Sequence, residues 1–273
     1  MHIDDLNEDE DGKKGRRQAY LVRYLAQNHY ISLEEIASRF SVTTQTARRD
    51  IMALERQGKV RRLHGGAVAS IPLDPVVYRQ RRIVNAERKE AIGKRVAELL
   101  PDNASIFIDT GTTCEAVARA LVARKGLRVV TYSLRVATTL SEATDFTIAV
   151  PGGFVRQVDA GVFSQNSPEF ISAFKFDYVI ISVSGIDDEG DIGDDDYAEV
   201  AAVRAAMQQA GRVILAIDSS KFGRRALVRL GSVREADMIV TDAKPADNLL
   251  QILEQSRTEL HLAEALTGNV GQG

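Results

Sequence analysis

Cysteine is nearly absent from this sequence. Cys114 is the only one in 273 residues, so no disulfide can close within the chain, and the usage fits a reducing cytoplasm. No apolar run reaches the roughly eighteen residues that a membrane helix needs. The first residues are acidic rather than basic and apolar, which argues against a secretory signal. The four histidines, His2, His29, His64 and His261, have no metal-ligand spacing, so no zinc site is expected. The acidic stretch 187–199 lacks the calcium-loop pattern and reads mostly as a solvated loop. Neither a dinucleotide fingerprint nor a P-loop occurs. No metal and no cofactor is therefore expected. What remains is a chain with 44% apolar and 27% charged residues, the balance of a soluble globular protein long enough for two domains.

The net charge of −3 hides an uneven distribution. Residues 1–12 hold six acidic side chains and no Lys or Arg, and read as a disordered tail. Residues 13–69 hold twelve basic and four acidic groups, while residues 70–273 hold 23 and 28. A basic module precedes a mildly acidic one. Phosphate attraction, the main source of sequence-independent DNA affinity, belongs to the first.

Within the basic module, Ile31 to Asp50 reads as two short helices joined by a tight turn. Ser32 and Glu35 make the S-x-x-E capping box. Leu33, Ile36, Ala37 and Phe40 then form one apolar stripe. Ser41-Val42 is the turn and Thr43 can cap the next helix. In that helix Ala47, Ile51 and Leu54 face inward, while Gln45, Arg48, Arg49, Met52 and Arg56 lie mostly outward. Such a face suits a DNA major groove, although a plain helical hairpin with solvated arginines would share the pattern. An earlier helix, Arg16 to Asn28, supplies Leu21, Val22 and Leu25 to the same core. Gly58 stops the second helix. Residues 59–68 then read as two short strands around His64-Gly65-Gly66, a β-wing whose Arg61, Arg62 and His64 could reach phosphates or the minor groove.

From Ala104 onward, short apolar runs alternate with helical stretches. The expected strands are Ser105 to Ile108, Arg128 to Val130, Phe146 to Val150, Tyr178 to Val183, Val213 to Ile217 and Met238 to Val240. This alternation predicts an α/β domain with a largely parallel sheet, whose ligands bind beyond the carboxyl ends of the strands. The first strand ends in Asp109-Thr110-Gly111-Thr112-Thr113 ahead of a helix. Amides and hydroxyls there can cradle an anion; equally, threonines can cap a helix that binds nothing. Ser133, Gly152-Gly153 and Lys221 lie at other strand ends, and Lys221 carries the positive charge a phosphate needs. Glu199 opens a helix and could accept hydrogen bonds from ligand hydroxyls.

The S-V-x-x-Q-T-x-R-R-D segment (Ser41 to Asp50), the L-x-x-x-G step (Leu54 to Gly58) and the R-x-H-G-G wing resemble the N-terminal domain of DeoR-family bacterial repressors. IFIDTGTT, VVTYSLRVA, VPGG, SVSGIDDEG, DYAEVAAVRAAM and IDSSKFGRRALVRLGS resemble that family's effector domain. The similarity covers roughly residues 14–262. It implies a winged helix-turn-helix domain followed by a C-terminal α/β sugar-phosphate-sensor domain similar to ribose-5-phosphate isomerase. The implied organisation is a tail over 1–13, a DNA-binding domain over 14–70, a linker over 71–90, the effector-binding domain over 91–265 and a flexible tail over 266–273.

The resemblance also implies a function. The chain would be a cytoplasmic repressor of carbohydrate or glycerol metabolism, a homo-oligomer (dimer or tetramer) on double-stranded operator DNA. A phosphorylated metabolite would release it, and SGIDDEG, DYAEV and SKFGRRALV favour glycerol 3-phosphate, with a sugar phosphate next. DNA contacts would come from Thr43, Thr44, Gln45, Thr46, Arg48, Arg49, Arg61, Arg62 and His64. Ligand contacts would come from Asp109, Thr110, Gly111, Thr112, Thr113, Ser133, Gly152, Gly153, Glu199 and Lys221. One departure concerns the pocket. The family commonly has Thr-Asn-Ser where this chain has Thr131-Tyr132-Ser133, so Tyr132 would alter the ligand or its affinity. An activator of the same family is one alternative. Another is an isomerase-like enzyme using Asp109, Glu199 and Lys221 as acid/base groups.

Overall fold

The apolar positions of the basic module converge as their spacing predicts. In the computed structural model, which describes residues 4–28, 30–57, 59–63, 66–69, 75–164 and 166–264, the chain divides into two units, Met1–Asp74 and Pro75–Gly273. The first holds helix α1 (Asp4–Asn28), strand β1 (Tyr30–Ser32), helices α2 (Leu33–Phe40) and α3 (Thr44–Arg56), and strands β2 (Val60–Leu63) and β3 (Gly66–Ala69). Leu21, Leu25, Ile36, Ala47, Ile51 and Leu54 share one core. Ser41, at φ 51°, ends α2 in the left-handed conformation, and Thr43 caps α3 by accepting the Thr46 amide at 3.1 Å.

Three features depart from the sequence reading, and a fourth adds to it. Helix α1 runs back to Asp4, through the segment read as a disordered tail. The capping box is half made: Ser32 Oγ accepts the Glu35 amide at 3.0 Å, but the Glu35 carboxylate is turned to Tyr24 Oη at 2.7 Å. The wing is three-stranded, because β3 pairs antiparallel with β1 as well as with β2. Asp50, at the end of the matched segment, points into the core. At 2% exposure it receives Arg17 Nε at 2.5 Å and Gln18 Nε2 at 3.0 Å, tying α3 to α1. Truncation to Ala would strand Arg17 without its partner. Asp50→Ala is expected to lower the stability of this unit by about 3 kcal/mol, read as an earlier urea transition; an unchanged midpoint would show the pair to be dispensable.

The second unit is built on a seven-stranded parallel sheet. It opens with α4 (Pro75–Ile83) and α5 (Ala86–Leu99), so much of the expected linker is helical; Pro75 suits a first helical position. There follow β4 (Ser105–Ile108), α6 (Thr112–Leu121), β5 (Arg128–Thr131), α7 (Leu134–Ala143), β6 (Thr147–Ala149), β7 (Phe154–Val155), β8 (Val162–Phe163), α8 (Ser167–Ser172), β9 (Phe176–Ile181), β10 (Gly185–Ile186), β11 (Asp191–Asp194), α9 (Tyr197–Met207), β12 (Ala210–Ala216), β13 (Val228–Ser232), β14 (Met238–Thr241), α10 (Asp247–Ser256) and β15 (Glu259–Leu262). The sheet order is β15-β14-β12-β9-β4-β5-β6. Alternate residues of each strand feed opposite faces: Ile106 and Ile108 join the core with α5 and α6, while Phe107 joins the core with α9 and α10. No helix among the described residues is long and apolar enough to cross a membrane.

The strand order reverses between β4 and β9. Connections run one way from β4 to β5 and β6, and the other way from β9 to β12, β14 and β15. The crevice beyond the carboxyl ends of these two strands is the natural ligand position in such a sheet. Two small additions cover that edge: the hairpin β7/β8, and the antiparallel sheet β10-β11-β13. The acidic run read as a solvated loop supplies β11 and the N-cap of α9, so much of it is ordered structure.

Candidate functional site

The outer face of α3 is free to meet a partner. Thr43, Thr44, Gln45, Arg48 and Arg49 are exposed and Thr46 is half-buried, whereas Ala47, Ile51 and Leu54 are buried. Neither the Arg48 nor the Arg49 guanidinium has a hydrogen-bond or ion-pair partner among the described residues. Thr43 is committed locally: its Oγ1 serves the Thr46 amide and lies 3.0 Å from Thr46 Oγ1. Arg39 is engaged too, lying 4.6 Å from the Tyr24 ring centroid. Strands β2 and β3 place Arg61 and Arg62 on the wing, but their side chains, with His64 and the helix-stop Gly58, lie outside the described residues.

In the second unit, the switch point is occupied by Asp109. The carboxylate follows β4 and is 1% exposed. It accepts the Thr110 amide at 2.7 Å, the Ser182 amide beyond β9 at 3.2 Å, and the Tyr132 hydroxyl. Burial pushes its pKa up to about 7 against the pull of these donors. Tyr132 is thus not a pocket wall. It is wholly buried, packed against Phe107 and Phe163, and its hydroxyl positions Asp109.

After Asp109 the chain turns through Gly111, whose φ of +112° is strained for a residue with a Cβ, into α6. That helix has no side-chain cap, so the amides of its first turn are not satisfied by a capping side chain. Thr112 and Thr113 are buried there, and Thr110 Oγ1 donates to Asp159 at 3.4 Å. Ser133 is fully buried and its hydroxyl caps α7, accepting the Val136 amide at 3.3 Å. Gly152 and Gly153 follow the edge strand β6, two strands from β4, or about 10 Å along the sheet. Gly153 lets the backbone approach Phe163, whose carbonyl oxygen would lie 2.7 Å from an added Cβ.

Arg156, which the sequence reading did not single out, organises the acidic side of the site. Following β7, it donates Nε to Asp159 at 2.9 Å, Nη2 to Glu199 at 2.7 Å and Nη1 to Asp196 at 3.3 Å, and lies 4.4 Å from the Phe163 ring centroid. The only available signal was a lone arginine after a Gly-Gly turn. Burial raises the Glu199 pKa well above its ordinary value, with the nearby Asp194 charge adding to the effect and Arg156 opposing it. Burial likewise raises that of Asp194, whose carboxylate accepts Ser184 Oγ at 3.0 Å. Burial works against the Asp159 carboxylate, yet Arg156 and the Gly161 amide hold its pKa below the usual value. Replacing Arg156 by Met would leave these carboxylates without their cation. The expected loss is about 3 kcal/mol in urea unfolding; wild-type stability would mean they are held protonated instead.

Lys221 completes the arrangement from the turn after β12. It is 8% exposed, and its ammonium has no hydrogen-bond or ion-pair partner among the described residues. Burial, with repulsion from Arg81 and Arg224, lowers its pKa to about 7 against attraction by Asp218 and Asp194. A cavity of about 460 Å³ lies between α4, α5 and α6, with Thr112 and Glu115 from the start of α6 in its lining. Its cations are already satisfied: Arg82 meets Glu115 at 2.9 Å, Arg119 meets Glu90 at 2.6 Å, and Lys89 Nζ donates to two backbone carbonyls.

Residues 17–71 match the model of the DeoR-like helix-turn-helix domain, and residues 84–243 that of the DeoR C terminal sensor domain. The chain belongs to the DeoR family. It is 39% identical over 250 residues to the glycerol-3-phosphate regulon repressor of Escherichia coli (strain K12), covering 92% of this chain and 99% of that one. It is 36% identical to the HTH-type transcriptional repressor CsqR of the same organism, over 91% of this chain and 95% of that one. These matches make the chain an effector-regulated DNA-binding repressor of the DeoR family rather than an enzyme. Among solved structures, ribose 5-phosphate isomerase A from Neisseria gonorrhoeae is similar at a TM-score of 0.38 and 16% identity, over 50% of this chain and 53% of that one. So partial a likeness says nothing about catalysis.

Proposed function

We propose that this DeoR-family member is a cytoplasmic repressor of glycerol metabolism, released from its operator by glycerol 3-phosphate. The α/β unit holds the ligand at the β4/β9 switch point. Its phosphate lies against the first-turn amides of α6 and Lys221, with Thr110, Gly111, Thr112 and Thr113 around it. Its hydroxyls are read by Glu199 and Asp109, and Ser133 closes the neighbouring strand end. The observation that carries this reading is Lys221, a residue only 8% exposed whose ammonium has no protein counter-ion within hydrogen-bond reach. The name of the Escherichia coli relative supports the choice of glycerol 3-phosphate over other phosphate esters. Gly152 and Gly153 add backbone contacts to the ligand from the loop after β6, and Gly153 also lets the hairpin that carries Arg156 close against Phe163.

On DNA, α3 enters the major groove, with Gln45 and Thr46 toward the bases, Arg48 and Arg49 toward bases or phosphates, and Thr44 beside them. Thr43 fixes the helix start, and Arg61, Arg62 and His64 of the wing reach the flanking backbone. The protein acts as a homo-oligomer on paired half-sites, as helix-turn-helix proteins usually do. Fluorescence anisotropy on labelled duplex from upstream of its own operon tests the whole reading. Tight, salt-dependent binding released by glycerol 3-phosphate is expected. Release by a different sugar phosphate alone would replace the effector, and absence of specific binding would overturn the interface.

A further inference from the structure

Helix α4 is the first element of the α/β unit, and its end is fastened at the edge of the site. Lys89 Nζ donates to the carbonyls of Arg81 and Val84 at 2.5 and 2.7 Å. Asn85 Nδ2 donates to Asp218 Oδ1 at 3.2 Å, and the same oxygen accepts the Ser220 amide at 3.2 Å, capping the short turn Ser219–Lys221. Farther back on α4, Tyr78 Oη reaches Glu115 at 2.7 Å. Arg81 lies in the last turn of α4, whose end is held by Lys89 through the Arg81 and Val84 carbonyls, four residues before Asn85, the left-handed residue that opens α5 and meets the Lys221 turn. Its guanidinium is exposed and, like the Lys221 ammonium, has no hydrogen-bond or ion-pair partner among the described residues. The two charges are near enough to repel one another, and both act on Asp194.

Two neighbouring cations, neither of them paired, repel one another, and an anion that comes between them turns that repulsion into two attractions. We propose that Arg81 and Lys221 form a two-cation clamp on the anionic group of the effector, so that α4 is itself part of the binding site. This rests on the reading of Lys221 as an effector-binding group. Lys221 approaches the anion from the buried side and Arg81 closes over it from the solvent side. Two cations match a phosphate monoester dianion better than a carboxylate.

Calorimetric titration of the full-length protein tests the clamp, with glycerol 3-phosphate, inorganic phosphate and uncharged glycerol as probes. Arg81→Gln is expected to weaken both phosphate probes about tenfold, the equivalent of one charge-assisted hydrogen bond, and to leave glycerol unaffected. Arg81→Lys is expected to recover most of the loss, which a merely structural role for the side chain would not produce. Lys221→Met is the companion variant. If Arg81→Gln binds like wild type while Lys221→Met does not, the clamp is overturned and the sensor site stands. If neither substitution changes phosphate binding, the clamp and the placement of the site both fall. Equal loss of glycerol and phosphate in Arg81→Gln would also overturn it, by showing a general distortion of α4.

Discussion

Replacing Arg48 by Ala is expected to abolish specific operator binding, with a loss of at least about a hundredfold, while glycerol 3-phosphate still binds the α/β unit with wild-type affinity. The size follows from position. Arg48 sits in the first half of α3, exposed and unpaired, on a helix whose other side is anchored by Ala47, Ile51 and Leu54 and by the Arg17–Asp50 pair. A rigidly presented arginine reading a guanine edge is worth about 1–3 kcal/mol, and lost phosphate attraction adds to that. Two further readouts separate the roles. If Arg48 meets a base, the variant discriminates less between operator and scrambled duplex. If it meets phosphate, both weaken together and the slope of log affinity against log salt falls by about one. Unchanged operator affinity would remove α3 from the interface. Because Arg48 is exposed and supports no neighbour, the thermal unfolding of the variant should match that of wild type.

The fold was legible wherever periodicity and burial agree. Residues of α2 and α3 have one apolar stripe each and one destination, so their limits and caps follow from the chain. The buried strands β4, β5, β9, β12 and β14 are short runs of Val, Ile and Leu with no other use. What escaped the reading was decided between distant segments. Glu35 could complete a capping box or serve Tyr24, and only the packing of α1 against α2 settles it. Edge strand β15, with Glu259 and His261 in it, lacks the apolar run of a buried strand. The acidic stretch 187–199 looked solvated because charge implies water; in the fold, Arg156 and Arg229 reach into it. The same limit applied to the site. Asp109, the threonines, Ser133, Glu199 and Lys221 stand at helix starts and strand ends, where chemistry is visible locally. Arg156 and Arg81 have no local motif, and their significance appears only once the β7/β8 hairpin and α4 are placed. Tyr132 was noticed as a departure from the family pattern, but the sequence could not show that the ring is core and the hydroxyl a ligand of Asp109.

Lys221→Ala is expected to give the opposite phenotype to Arg48→Ala: normal operator binding that glycerol 3-phosphate no longer releases. The wild-type response should also depend on pH through this residue. In the free protein the ammonium loses its proton near pH 7, because burial and the charges of Arg81 and Arg224 outweigh Asp218 and Asp194. A phosphate dianion favours the protonated amine, so binding draws a proton onto Lys221 whenever the free site has lost it. Affinity is therefore greatest below pH 7 and falls toward pH 8.5, by up to about tenfold per unit for one linked proton. Asp109 acts in the same direction, since its carboxyl, raised to about 7 by burial, becomes negative over the same range. The second ionisation of a phosphate monoester, near pH 6, is essentially complete by then and does not reverse the sign. Titrations in two buffers of different ionisation enthalpy should count close to one proton taken up per ligand at pH 7.5. Lys221→Arg, whose guanidinium stays charged, should bind with much of that uptake gone, leaving the part due to Asp109. A Lys221→Ala repressor released at the wild-type concentration of glycerol 3-phosphate would place the effector's phosphate elsewhere.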